Sequence, residues 1–130
     1  MLLDSKVIAV DFDGTIVQNK YPKIGKPLPF AFETLKLLQQ DGHRLVLWTV
    51  RANDLLQEAV DYCRKNGVEF YAVNQNYEGE KDGVRKLNAD IFIDDRNVGG
   101  LPQWGEIYPF ISGEQMPKVN RGNWLQKLFK

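Results

Sequence analysis

The sequence predicts an α/β fold in three layers, a central parallel sheet with helices on both faces. Three observations carry this. Short β-branched apolar runs alternate along the chain with stretches of helical period. The order strand, helix, strand, helix, strand is the one that builds a parallel sheet from crossover units. The length, 130 residues, is one domain's worth of chain, and residues 1–130 read as a single domain.

Each element has its own justification. Lys6 to Val10 is a short apolar run that stops abruptly in acid, which predicts a buried first strand. Pro27 and Pro29 lead into Phe30 to Gln40, where Phe32, Leu35 and Leu38 recur at helical spacing. Pro29 suits a first helical position and Gly42 a C-terminal stop. Arg44 to Val50 predicts a second buried strand. Asn53 or Asp54 then caps a helix running through Asn66, with an apolar face of Leu55, Leu56, Ala59, Val60 and Cys63. Gln57, three residues after Asp54, offers a capping box, and Gly67 ends the helix. Val68 to Val73 predicts a third strand, Ile91 to Ile93 a fourth, and Glu106 to Tyr108 a short fifth.

Composition narrows the function classes. Apolar residues at 43% and charged residues at 26% are ordinary for a soluble globular protein. Lys+Arg and Asp+Glu are both 17, so no global field draws in nucleic acid or an anionic membrane, and neither is expected as a partner. The apolar runs fall far short of the roughly 20 residues that span a bilayer. The opening residues lack a basic patch followed by an apolar stretch, so no secretory signal and a cytoplasmic location are expected. A single cysteine, Cys63, excludes an intrachain disulfide and a Cys-rich zinc site. Cys63 on an apolar helix face and His43 in a helix-to-strand turn both read as structural.

In parallel sheets, ligands sit beyond the carboxyl ends of the strands. The first strand ends in Asp11-Phe12-Asp13-Gly14-Thr15, the second in Thr49 with Arg51 just after, and the fourth in Asp94-Asp95. Acids gathered at one sheet edge repel each other and raise each other's pKa values. A divalent cation relieves this, and all-oxygen ligands suit Mg²⁺. Residues i and i+2 of a strand point the same way. A turn at Asp13, permitted by Gly14, lets the Asp11 and Asp13 carboxylates diverge and bracket one reacting atom. Taken singly, each piece has a structural explanation. Strand-end aspartates cap helices, Asp13-Gly14 is an ordinary turn, and Asp94 to Asn97 reads as a solvated turn. Their conjunction points to chemistry.

The run Val7-Ile8-Ala9-Val10-Asp11-Phe12-Asp13-Gly14-Thr15 resembles the first motif of the haloacid dehalogenase (HAD) superfamily of phosphohydrolases. Leu45 to Thr49 is similar to its second motif and Ile91 to Asp95 to its fourth. The resemblance implies a HAD-like, Rossmann-like fold with a central parallel sheet. It implies Asp11 as the nucleophile that takes the phosphoryl group, and Asp13 as general acid/base with its backbone carbonyl on Mg²⁺. Thr49 would bond the transferring phosphoryl. Asp11, Asp13, Asp94 and Asp95 would form the metal set, and either Asp94 or Asp95 could be the direct ligand. Gly14, Thr15 and Arg51 would bind substrate. Lys86, which runs directly into the fourth strand, or Lys81 would supply the lysine of the third motif. The presence of Asp13 favours the phosphatase branches of the superfamily over those lacking this acid.

Neither gap that carries a cap in the superfamily, Thr15 to Arg44 or Arg51 to Lys81, is long enough for one, so the chain resembles the capless branch. Gln18 to Lys26, with three lysines and Tyr21, is then the expected flap over the site, facing an anionic or sugar substrate. Asn123 to Lys130, apolar at i, i+1, i+4 and i+5, reads as a docking helix or a subunit contact, and a homo-oligomer sheltering the open site is expected. The function expected is Mg²⁺-dependent hydrolysis of a small-molecule phosphomonoester through an aspartyl-phosphate. A receiver-like signalling module shares the acids, but its acid pair belongs at the first strand, whereas here the pair comes last. Intact Asp11 and Asp13 count against a catalytically quiet HAD-like binding protein.

Overall fold

Apolar runs flanked by turn residues form strands that bury both faces. The computed structural model describes residues 5–81 and 86–113. In chain order the elements are β1 (Val7–Val10), β2 (Val17–Lys20), β3 (Lys23–Pro27), α1 (Ala31–Gln40), β4 (Arg44–Leu47), α2 (Asn53–Lys65), β5 (Ala72–Val73), β6 (Ile91–Ile93) and α3 (Trp104–Ser112). Four strands form one parallel sheet in the order β5-β4-β1-β6, and β2 and β3 form a separate antiparallel hairpin.

Two short steps in one direction and one return step explain the layers. The chain moves from β1 to β4 to β5 across the sheet, then crosses back to β6. Right-handed crossovers place connections of the same direction on the same face and the return on the opposite face. Accordingly α1 and α2 share a face, and α3 joins them. Ile8, Val10, Leu45, Leu47 and Ile93, all on that face by strand alternation, form one core with Phe32, Leu35 and Leu38 of α1, Ala59 and Cys63 of α2, and Trp104 and Ile107 of α3. The opposite face, Ala9, Val46 and Ala72, is covered by Leu87 with Trp48 and Ala89. Helices on both faces were expected. Among the described residues the return crossover is not helical, and all three helices share one face.

Local signals decide the helix ends. Gly42 (φ 92°) and Gly67 (φ 90°) stop α1 and α2 in the left-handed conformation that favours glycine. After α1 the His43 N–H bonds the Leu38 carbonyl, and after α2 the Val68 N–H bonds that of Cys63. The capping box expected at Asp54 does not form. Ala52 is the N-cap with no side-chain bond, and the Gln57 amide instead reaches Asp61 one turn on. The helix after Pro29 begins at Ala31, with Phe30 left-handed at its N-cap.

Three strand expectations change. The second strand ends at Leu47 rather than Val50, and the third shrinks to Ala72–Val73 at the sheet edge. Glu106 to Tyr108, read as a short strand, lies inside α3, because Trp104, Ile107 and Ile111 recur at helical spacing and turn to the shared core. Gln18 to Lys26, expected as a flap over the site, is mostly the β2–β3 hairpin. The expectations for Met1 to Asp4 and for Asn123 to Lys130 lie outside the described residues.

The N-terminal edge of the sheet holds a buried histidine. His43 Nδ1 accepts the Lys6 N–H at 3.0 Å, and Nε2 is buried without a hydrogen-bond partner in the described structure. Burial holds its pKa below the ordinary 6.5. Below pH 6.5 the unfolded chain therefore takes up a proton that the folded chain resists, and stability falls as pH falls. His43→Asn keeps an acceptor for Lys6 but does not titrate. Its thermal midpoint, measured against the wild type, should gain steadily between pH 7.5 and 5. A constant offset across that range would show that His43 does not set the slope.

Candidate active site

Sheet register brings the acids together. Val10 pairs with Leu47 on one side and Ile93 on the other. The Asp11 N–H continues the ladder to the Ile93 carbonyl at 3.0 Å, and the Trp48 N–H bonds the Val10 carbonyl at 2.9 Å. Asp11, Thr49 and Asp94 therefore leave the sheet side by side. This is where the chain order reverses between β1 and β6, the position at which open α/β sheets place ligands.

Thr15 and Gly14 weld the two acidic loops. The fully buried Thr15 hydroxyl donates to Asp11 Oδ2 at 3.0 Å and lies 3.3 Å from Asp95 Oδ1, while the Asp95 N–H donates to it at 3.0 Å. The Thr15 carbonyl accepts the Trp104 indole N–H at 2.8 Å, which ties the loop to α3. Gly14 has φ 84°, and a Cβ there would overlap the Asp95 carboxylate. Both the backbone conformation and the close approach require glycine.

Carboxylate oxygens of Asp11, Asp94 and Asp95 lie within 4.8 Å of one another. Burial, then the Asp94 charge, pushes the Asp11 carboxyl up to about 7, against hydrogen bonds from the Phe12 backbone and Thr15 that oppose the rise. Asp94 is held in a tight turn, with Oδ1 accepting the Arg96 N–H at 2.8 Å.

Asp13 diverges from this cluster. Its two oxygens accept from Arg51 Nε at 2.7 Å and Nη2 at 2.8 Å. Arg51 is itself buried, with its side chain fully shielded from solvent. Its remaining donors reach the Lys23 carbonyl at 3.1 Å and the Leu55 carbonyl at 3.3 Å, and its guanidinium lies over the Phe12 and Tyr21 rings. The Thr49 hydroxyl accepts the Arg51 N–H at 3.1 Å, and the Thr49 N–H bonds Asn74 Oδ1 at 2.8 Å.

These walls enclose an open cavity of about 580 Å³ lined by Asp11, Asp13, Asn19, Tyr21, Trp48, Thr49, Val50, Asp94 and Arg96. Asp11, Asp13, Thr49 and Asp94 thus line one cavity, but the carboxylate of Asp13, expected in the metal set, is held by Arg51 apart from the Asp11, Asp94 and Asp95 cluster. Asp95 sits one step behind, on Thr15. Gly14, Thr15 and Arg51, read as substrate-binding, form the wall rather than the lining. Lys81 and Lys86 are exposed and do not line the cavity. Asn74, Trp104 and Arg96 were not singled out from sequence. Asn74, left-handed at φ 54° directly after β5, carried a signal in being a strand-end Asn. Trp104 carried none.

No family model matches the chain, and no relative was found among curated proteins. Among solved structures, a conserved protein from Bacteroides thetaiotaomicron is 58% identical, with the match covering 87% of this chain and 94% of that one at a TM-score of 0.82. This chain belongs to the same family as that protein.

Two outcomes follow from the electrostatics. Asp11 binds its proton more tightly folded than unfolded between 3.8 and about 7, so across that window its contribution to stability falls as pH rises. Asp94→Asn keeps the acceptor for Arg96 and removes the repelling charge. In chelator it should raise the thermal midpoint by a few degrees at pH 8 and by much less at pH 5, where Asp11 is already protonated; about 3 °C corresponds to roughly 0.8 kcal/mol for a domain of this size. An equal gain at both pH values would refute the repulsion. Arg51→Ala leaves the Asp13 carboxylate without its partner and should cost about 3–5 kcal/mol in urea denaturation. Arg51→Lys should recover little, since an ammonium cannot make the paired fork, whereas adding Asp13→Asn to Arg51→Ala should recover a large part.

Proposed function

We propose that this chain is a Mg²⁺-dependent phosphohydrolase of HAD type, acting on a phosphomonoester through an aspartyl-phosphate on Asp11. The observation that carries this reading is the pairing in one cavity of a crowded carboxylate, Asp11, with a second carboxylate two residues on, Asp13, held apart from it by a buried arginine.

The donor set fits the metal. Asp11, Asp94 and Asp95 present carboxylate oxygens, the hard ligands that Mg²⁺ prefers. Burial, then the Asp94 charge, raises the Asp11 pKa, and a divalent cation would favour the ionised carboxylate against both. Bound there by Asp11, Asp94 and Asp95, Mg²⁺ would neutralise charge on the transferring phosphoryl group and help to orient it toward Asp11. Arg96 is the cationic side chain lining the cavity among the described residues, and it adds a second positive charge. No step is assigned to Lys86 or Lys81.

The chain's own groups then divide the work. A carboxylate oxygen of Asp11 attacks phosphorus, and the bond from phosphorus to the leaving oxygen breaks. Thr15 holds Oδ2 of Asp11 and so sets the orientation of the carboxylate. Thr49 accepts from the Arg51 N–H, which leaves its own proton for an oxygen of the transferring group. Asp13 protonates the leaving oxygen and later takes a proton from the water that hydrolyses the acyl phosphate. Arg51 occupies one lone pair on each Asp13 oxygen, and each oxygen keeps another for that proton. Arg51 acts here as a positioning residue.

Hydrolysis of an aryl phosphate should require Mg²⁺ and cease in excess chelator. Asp11→Asn should reduce turnover to background. Asp13→Asn should lose about 10²–10⁴-fold, the usual worth of general acid/base help. With an activated leaving group, Asp13→Asn should accumulate phosphoryl-enzyme that rapid-quench mass spectrometry detects, and Asp11→Asn should show none. Full activity in chelator, or phosphate covalently on Asp13 in the Asp11 variant, would refute this assignment.

A further inference from the structure

We propose that Tyr21, near the turn of the β2–β3 hairpin, is a stacking platform for the leaving group, and that the substrate is a monoester of one phosphate with a flat ring system. The proposal rests on the phosphohydrolase reading above and adds the class of its substrate.

Phe12, the Arg51 guanidinium and Tyr21 form a contiguous stack, with the guanidinium carbon 5.1 Å from the Phe12 ring centre and 5.2 Å from that of Tyr21. The stack starts in the core, where Phe12 is 0% exposed, and ends at Tyr21, 52% exposed on the cavity wall. A flat ring laid on the open part of Tyr21 continues it.

The platform is set before any ligand arrives. Arg51 Nη2 pins the Lys23 carbonyl two residues on, and the Tyr21 N–H bonds Asn19 Oδ1 at 3.3 Å. A pre-arranged aromatic surface costs little conformational entropy on binding. With Oδ1 engaged by Tyr21, Asn19 is left with its amide N–H donors for acceptor atoms at a ring edge. Trp48 and the 92% exposed Val50 add apolar wall from the end of β4.

The rest of the lining argues against other esters. Asn19 and Thr49 are its neutral hydrogen-bonding side chains besides the Tyr21 hydroxyl and the Trp48 indole, too few to recognise a polyol. Arg96 is its one cation among the described residues, on a lining shared with Asp11, Asp13 and Asp94. Among the described residues no cluster of cations lines the cavity to hold a second or third phosphoryl group. The volume of about 580 Å³ accommodates a ligand of nucleoside monophosphate size.

The experiment compares adenosine 5′-monophosphate, phenyl phosphate and ribose 5-phosphate as substrates of the full chain with Mg²⁺, in the wild type, Tyr21→Phe and Tyr21→Leu. Stacking on an aromatic side chain contributes about five- to hundred-fold in affinity. Both ring-bearing esters should therefore exceed ribose 5-phosphate at least about ten-fold in kcat/KM. Tyr21→Leu should raise KM for the ring-bearing esters about ten-fold more than KM for ribose 5-phosphate, and Tyr21→Phe should restore them. Tighter calorimetric binding of adenosine monophosphate than of phenyl phosphate assigns the ring to a nucleobase, and the reverse to a simple aryl group. Equal use of ribose 5-phosphate, or equal losses on all three esters in Tyr21→Leu, would overturn the proposal. Calorimetric binding of the same three compounds separates it from the hydrolase reading. If no ester is hydrolysed, the hydrolase reading fails. The platform then stands if adenosine monophosphate binds about ten-fold tighter than ribose 5-phosphate and loses that lead in Tyr21→Leu, and falls if the two bind alike.

Discussion

A guanidinium shielded from solvent holds three parts of this molecule together. Arg51 grips the loop after β1 through Asp13, the hairpin through Lys23, and the first turn of α2 through Leu55. Burying such a charge is costly unless it is paired and its donors are satisfied. Here a bidentate carboxylate and two carbonyls take up four of its five N–H donors, and two aromatic rings cover the cation. Arginine alone supplies a flat fork that bonds and stacks at once. The orientation of Asp13, the seat of the hairpin and the start of α2 thus share one side chain.

Beside this satisfied pair stands an unsatisfied cluster. Asp11, Asp94 and Asp95 crowd within 4.8 Å, and the fold tolerates the repulsion at the carboxyl edge of the sheet. Thr15 relieves part of it by bonding Asp11 and Asp95 together, and Gly14 makes room for the approach. The contrast separates two carboxylates only two residues apart. Asp11 carries a pKa pushed up by burial and like charge, and Asp13 carries a fixed arginine partner. Environments that differ this sharply are what allow two identical side chains to take different roles.

Topology explains why the site is open. With α1, α2 and α3 gathered on one face, the core lies between that face and the helices, and the cavity opens past the strand ends. The hairpin is the element that reaches over it. Its contact with the site runs through Tyr21 and Arg51, so the wall that meets a ligand is coupled to the residue that orients Asp13.

Sequence alone determined the chain order of the four sheet strands with α1 and α2 between them, the parallel sheet and the edge at which the acids gather. Those follow from local pattern: Val7 to Val10, Leu45 to Leu47 and Ile91 to Ile93 are apolar runs ending in polar residues, and parallel register carries their ends to one line. The conformation of Gly14 was legible too, because a tight turn after a strand demands it. Tertiary structure decided the rest. Arg51 read as a substrate-binding residue, since nothing in its neighbours announces a carboxylate 38 positions earlier that pairs with it. Thr15 and Trp104 meet across 89 positions, and no local period encodes that bond. Glu106 to Tyr108 looked extended because a three-residue window cannot separate strand from helix, and only the shared core with α1 chose. The single helical face came from strand order, which depends on long-range pairing. Local propensity acts over a few residues, whereas a buried charge finds its partner only after the chain has folded around it.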